Sequence, residues 1–250
     1  MDESISIVVL VMMVFFLAGM VKGIVGFGLP SISLALLTLF IDITSAMVLL
    51  VVPSLVTNFW QALVGGNLGL ILRKTWLFLT MATSTIWVGV LLIPVIQINW
   101  LSALLGLLLI AYALSSLSGF RLASKAYVKP WAGALFGGIN GMVTGLTGSF
   151  VMPGVMYLQV IGLRRDQLVQ AMGVLFFVST IVLGIALTKN NFVVPELGRL
   201  SVLSVVPVCC GMFIGKKIRH TMSETVFRRF FCILLLTLGA YVLMESLFTL

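Results

Sequence analysis

Charge is scarce in this chain. Only 9% of its 250 residues are Asp, Glu, Lys or Arg, where a soluble domain has about 25%. Histidine occurs once, at His220, and cysteine three times, at Cys209, Cys210 and Cys232, without CxxC or His-rich spacing. A disulfide framework and a metal site are therefore not indicated. No serine elbow, no metal-ligand spacing and no GxxxxGK[ST] loop is present, which excludes the common catalytic signatures and ATP-driven pumping by this chain. No stretch is long and polar enough for a soluble domain. Most soluble enzyme classes and sequence-reading nucleic-acid modules are excluded with it.

Apolar residues fill the space. They make up 61% of the chain, and the mean hydropathy is +1.23. That is more apolar surface than one water-facing core can hide, so lipid is the solvent. Long apolar segments lie at about 5–28, 44–65, 75–95, 99–118, 128–148, 168–187, 197–215 and 229–249. These read as eight helices of near-spanning length. Two shorter segments, 29–41 and 150–162, each follow a glycine-rich stretch and carry an early proline, Pro30 and Pro153. They read as half-helices that start after a glycine break. Asp2 and Glu3 precede the first run and no Lys or Arg comes before Lys22. The first segment is therefore expected to be a retained helix, not a signal peptide.

The chain repeats itself. Gly19-Met20-Val21-Lys22-Gly23-Ile24-Val25-Gly26 matches Gly141-Met142-Val143-Thr144-Gly145-Leu146-Thr147-Gly148 at a shift of 122 residues. Ala46-Met47 matches Ala171-Met172 at 125, and Ala111-Tyr112 matches Ala240-Tyr241 at 129. The pattern predicts a duplication, with a first membrane repeat at 1–125 and a second at 126–250, split near Lys125–Lys129.

Charge distribution bears on how the repeats face. With eight simple spans the loop cations divide seven against seven. If each short segment returns the chain to the side it came from, Arg73, Lys74, Arg121, Lys125, Lys129, Arg164, Arg165, Lys216, Lys217, Arg219, Arg228 and Arg229 share one side. Only Lys189 and Arg199 remain on the other. Twelve against two obeys the positive-inside rule with the amino terminus outside. The expected fold is thus an all-α polytopic membrane protein of two inverted repeats. Each has about four long helices plus a broken, re-entrant half-helix. Parallel repeats are the alternative.

The two glycine breaks carry the functional reading. Amides freed by a broken helix must be buried in protein or line a polar cavity. A half-helix amino end presents unpaired N–H groups and the positive end of its dipole, which suits an anion. Gly26, Phe27 and Gly28 in the first break and Gly148 in the second are candidates on this ground. Gly19, Gly23, Gly141 and Gly145 have GxxxG spacing, which close helix packing explains as well. Lys22 is the sharpest residue: a charge inside an apolar helix marks function unless it snorkels to the interface. Its repeat mate is Thr144. Asn140, Thr147 and Ser149 add polar groups in the second half. Asn58 and Gln170 either line a cavity or bond between helices.

At Gly19–Pro30 and Gly141–Pro153, with its two-half layout of about 250 residues, the sequence resembles the sulfite exporter TauE/SafE family. The second stretch here reads Gly148-Ser149-Phe150, where members often have a run of glycines. The resemblance implies a membrane transporter, and no enzyme, for sulfite, sulfonates or other small sulfur-containing anions. The expected partners are that small anion and the lipid bilayer of the cell's inner membrane. A homodimer is left open, nucleic acid is not expected, and no cofactor is called for. An anion channel and an intramembrane assembly protein are the competing readings.

Overall fold

The computed structural model describes residues 2–118, 130–219 and 224–248. The expected repeat boundary at 125–129, the cations Arg121, Lys125 and Lys129, and His220 lie outside them. Among the described residues the elements are helices, with no strand. They are α1 (Asp2–Val25), α2 (Leu29–Leu37), α3 (Ile43–Leu63), α4 (Leu68–Leu92, extended by a 3-10 turn Ile93–Val95) and α5 (Ile98–Leu117). The second half continues with α6 (Pro130–Thr147), α7 (Gly154–Val160), α8 (Arg165–Lys189), α9 (Pro195–Leu203), α10 (Val205–Arg219) and α11 (Glu224–Phe248).

Seven helices among the described residues are long and apolar enough to cross a membrane, α9 and α10 counting as one span. The eighth expected span, α6, is not among them. Its 18 residues include Asn140 and a glycine at five positions, which lowers its apolarity because it packs against protein on its glycine side. The basic pair Arg73–Lys74 lies inside α4, not before it. Long cationic stems reach the interface from within a helix, so the charges do not mark its start.

Local chemistry sets several boundaries. The Asp42 carboxylate accepts the Ser45 N–H at 2.9 Å and caps α3. Pro30 sits in the first turn of α2. Pro53 lies inside α3 and cannot donate to the Leu49 carbonyl. Ser201 of α9 replaces that bond: its hydroxyl donates to Leu49 O at 2.9 Å, and it accepts Val52 N–H at 3.2 Å.

Glycine lets the helices touch backbone to backbone. α4 and α6 run side by side in the same direction, with Phe78 at Gly137, Ala82 at Gly141 and Ile86 at Gly145. A Cβ on Gly141 would sit 1.9 Å from Ala82 O. α1 and α10 do the same, with Gly19 on Val208, Gly23 on Met212, Gly211 on Phe16 and Gly215 on Met20. The GxxxG spacings are thus packing devices. α3 and α8 run antiparallel, Val51 lying beside Gly184 and Ala62 beside Gly173. α5 and α11 are antiparallel as well, with Gly106 against Leu243 and Ile110 against Gly239. α4 follows the course of α8, with Asn67 at Gln170 and Trp87 at Lys189, and so opposes α3. The α9–α10 span follows the course of α3, with Ser201 at Leu49 and with Met212 beside Gly23, next to the Lys22 that reaches Thr57. These directions give α1 and α3 the same course, so α2 carries the chain back between them. α7 does so between α6 and α8.

Overfilling such contacts forces backbones apart at a cost of about 1–3 kcal/mol or more. Gly141→Ala is expected to lower the melting temperature in detergent clearly. Gly69→Ala, where no atom lies within 4 Å of the added Cβ, should leave it unchanged or slightly higher. Equal melting of the two variants would contradict the packing described.

Candidate functional site

The two helix breaks are built alike at their first step. Gly26 donates its N–H to Lys22 O at 2.8 Å, and Gly148 donates to Thr144 O at 2.8 Å. Both glycines are left-handed, at φ 91° and 71°. This is the usual way a helix ends, because only glycine takes that conformation without strain. α1 and α6 therefore stop at matched positions, 122 residues apart.

Beyond that step the breaks differ. In the first, Gly28 is left-handed at φ 102° and α2 starts at the next residue. A Cβ on Gly26 would meet no atom within 4 Å, so open space adjoins this break. In the second, a Cβ on Gly148 would clash with Met47 at 2.7 Å. The chain then stays irregular until Gly154, with Pro153 just before α7 instead of inside its first turn. Thr144 Oγ1 donates to Ser149 O at 3.0 Å, and Ser149 N–H donates to Thr147 Oγ1 at 3.2 Å. Asn140 Oδ1 accepts the Gly154 N–H at 2.8 Å and so caps α7 from the neighbouring helix. The second break is stitched to α6; the first is not.

Lys22 lies in the last turn of α1 and is 3% exposed. It does not snorkel. Its ammonium donates to Thr57 Oγ1 at 3.0 Å and to Asn58 Oδ1, both on α3. Thr57 in turn donates to Pro53 O at 2.9 Å. An ammonium has three donors, and these contacts use two. Among the described residues it pairs with no carboxylate. Thr57 carried no signal beyond its place next to Asn58, and the sequence reading missed it. Among the described residues, fully buried Asn58 keeps an Nδ2 without a partner, as does Asn140.

Other candidates have structural work. The Phe27 ring stands edge-on to Tyr112 and Phe231, at centroid distances of 6.3 and 6.0 Å. Gln170 uses both ends of its amide, donating to Ala62 O at 2.9 Å and accepting Asn67 N–H at 3.0 Å. It braces the α3–α4 turn. Among the described residues no group of three His, Cys, Asp or Glu is placed to hold a metal ion.

A polytopic helical bundle with broken helices and a deeply buried cation has the build of a membrane transporter. The chain belongs to the sulfite exporter TauE/SafE family, whose model matches residues 11–242. Neither the curated proteins nor the solved structures offer a match. Membership makes it a multi-pass membrane protein of a family that exports sulfite and related sulfur anions; its members are transporters, not enzymes.

Removing one partner of a buried charge costs about 3–5 kcal/mol. Asn58→Leu should therefore destabilise the protein strongly. Lys22→Met removes the charge itself and should melt no lower than the native chain. Detergent melting curves decide this, and a Lys22→Met variant that fails to fold would contradict it.

Proposed function

We propose that the protein carries sulfite, an organosulfonate or a related small sulfur-containing anion out of the cell across the inner membrane. Transport runs by alternating access around a site that Lys22 dominates. One observation carries this reading: Lys22 is buried beside a broken helix and held by neutral acceptors. A charge placed so costs several kcal/mol, and a bound anion offsets that cost. Gly26 adjoins open space beside the same break. Phe27, Gly28 and Asn58 belong to this half of the site, with the spare amide donor of Asn58 toward the anion. Asn140, Thr144, Thr147, Gly148 and Ser149 form the facing half. Gln170 enters only by holding the α3–α4 turn.

We read the halves 1–125 and 126–250 as inverted repeats. Exchanging them turns the α4–α6 contact into the α10–α1 contact and leaves α3–α8 and α5–α11 as they are. A two-fold axis along the helices would make the last two pairs parallel. Their antiparallel courses support an axis lying across them, in the membrane plane. Twelve loop cations against two support the same arrangement. Such repeats rock against each other and open the site to either side in turn.

In vesicles holding purified protein, Lys22→Met should lower sulfite flux at least tenfold while the fold is kept. Unchanged flux would remove Lys22 from the site. A channel would instead pass current far above carrier turnover, which planar-bilayer recording detects. In a cysteine-free background, Phe40→Cys and Arg164→Cys should react with an impermeant thiol reagent from opposite faces of the membrane. Labelling from one face would rule out inverted repeats.

A further inference from the structure

Ser54 and Ser179 are absent from every role described so far. They occupy the same place in the two halves: each lies seven residues after the matched methionine, Met47 or Met172, at the shift of 125. Both are fully buried, and among the described residues neither hydroxyl has a hydrogen-bond partner. A serine or threonine inside a helix normally bonds back to the carbonyl four residues earlier. Ser33, Thr38, Thr57, Thr75, Thr180 and Ser204 all do so here. Ser54 and Ser179 do not, although that bond is the cheapest one on offer in lipid.

Their placement is central. α3 and α8 cross antiparallel, Val51 beside Gly184 and Ala62 beside Gly173. That register puts Ser54 and Ser179 about 3 Å apart along the helix direction, on either side of the crossing point. The outer side of this crossing is an open groove lined by Val51, Leu55, Ile181, Gly184 and Ile185. The buried serines lie on the other side, toward the core. Asn58 is one turn from Ser54 on the same face of α3. Asn140 binds Gly154, which packs on Leu175, one turn from Ser179.

The buried polar atoms left free among the described residues share one character. Ser31 Oγ, Ser54 Oγ, Ser179 Oγ, Asn58 Nδ2 and Asn140 Nδ2 are buried and unpartnered. All are hydrogen-bond donors. The amide oxygens of both asparagines are already taken, by Lys22 and by the Gly154 N–H. A cage rich in spare donors, two of them amide nitrogens that can only donate, fits a solute with several acceptor oxygens.

We infer that Ser54 and Ser179 are a symmetric pair of anion-binding hydroxyls, one from each half, that hold an oxyanion where α3 and α8 cross. The inference rests on the anion-transport reading and adds the specificity. Three-oxygen anions such as sulfite and sulfonates are favoured over halides and over neutral polyols. Groups paired across a two-fold axis and close to it keep their contact with the solute when the two halves exchange positions, which is what a carrier needs in both of its states.

The test compares the native protein with Ser54→Ala, Ser179→Ala and the double variant, purified in detergent, by melting and by binding of sulfite, methanesulfonate and chloride. Without ligand, each variant should melt at the native temperature or higher, because an unpartnered buried hydroxyl stabilises nothing. Each single change should weaken sulfite and methanesulfonate binding at least tenfold, and the double change further. Unaltered sulfite binding in either single variant, or native binding of chloride as tight as sulfite, overturns the inference while leaving the transport reading intact. A lower melting temperature or failure to fold assigns the hydroxyls to helix packing and overturns it too. A native protein that ignores both sulfite and methanesulfonate ends both readings.

Discussion

An ammonium group with no carboxylate partner among the described residues, buried in a lipid-solvated bundle, is the constraint around which the rest of this protein is arranged. Lys22 reaches Thr57 and Asn58 on α3, so α1 and α3 must lie close enough for a single side chain to bridge them. That closeness in turn depends on α1 ending where Gly26 turns the chain. If α1 continued as a helix, α2 could not fold back between α1 and α3. The charge is tolerated because its neighbours are acceptors and because, in the proposed cycle, an anion completes its surroundings.

Close backbone contact is the second element of the design. Lipid offers no hydrophobic force to drive helices together, so association rests on packing and on hydrogen bonds. The α1–α10 and α4–α6 pairs meet through glycines on both of the matched helices. Each pair joins one half of the chain to the other. Two stiff cross-half ribs then flank the α3–α8 crossing. The halves are not copies in detail. The second break is stitched down by Thr144, Thr147 and Asn140, while the first borders open space at Gly26. The α9–α10 span bends at Ser204 and is braced by Ser201 on the Pro53 gap in α3. The matching helix α4 is continuous.

Much of this was legible in the residues, for identifiable reasons. Spanning helices announce themselves because lipid demands long apolar runs, and the breaks because glycine and proline are the residues that end helices. Lys22 stood out because a charge in such a run is rare. Reading failed where a partner decides the outcome. α6 looked like an ordinary span, yet its glycines serve contact with α4. Gln170 carried the same signal as Asn58, yet both ends of its amide hold the α3–α4 turn. Thr57, Ser54 and Ser179 gave no signal at all, since hydroxyls in membrane helices usually bond to their own backbone.

The sequence by itself determined the all-helical build, the rough limits of most of the long apolar helices and the places where two of them break. These follow from side-chain hydropathy and backbone freedom, which act locally along the chain. Tertiary structure alone decided which polar groups are satisfied and which remain open. A hydrogen bond needs two groups brought together, and here the partners lie 35 residues away for Lys22 and more than 100 away for Gln170.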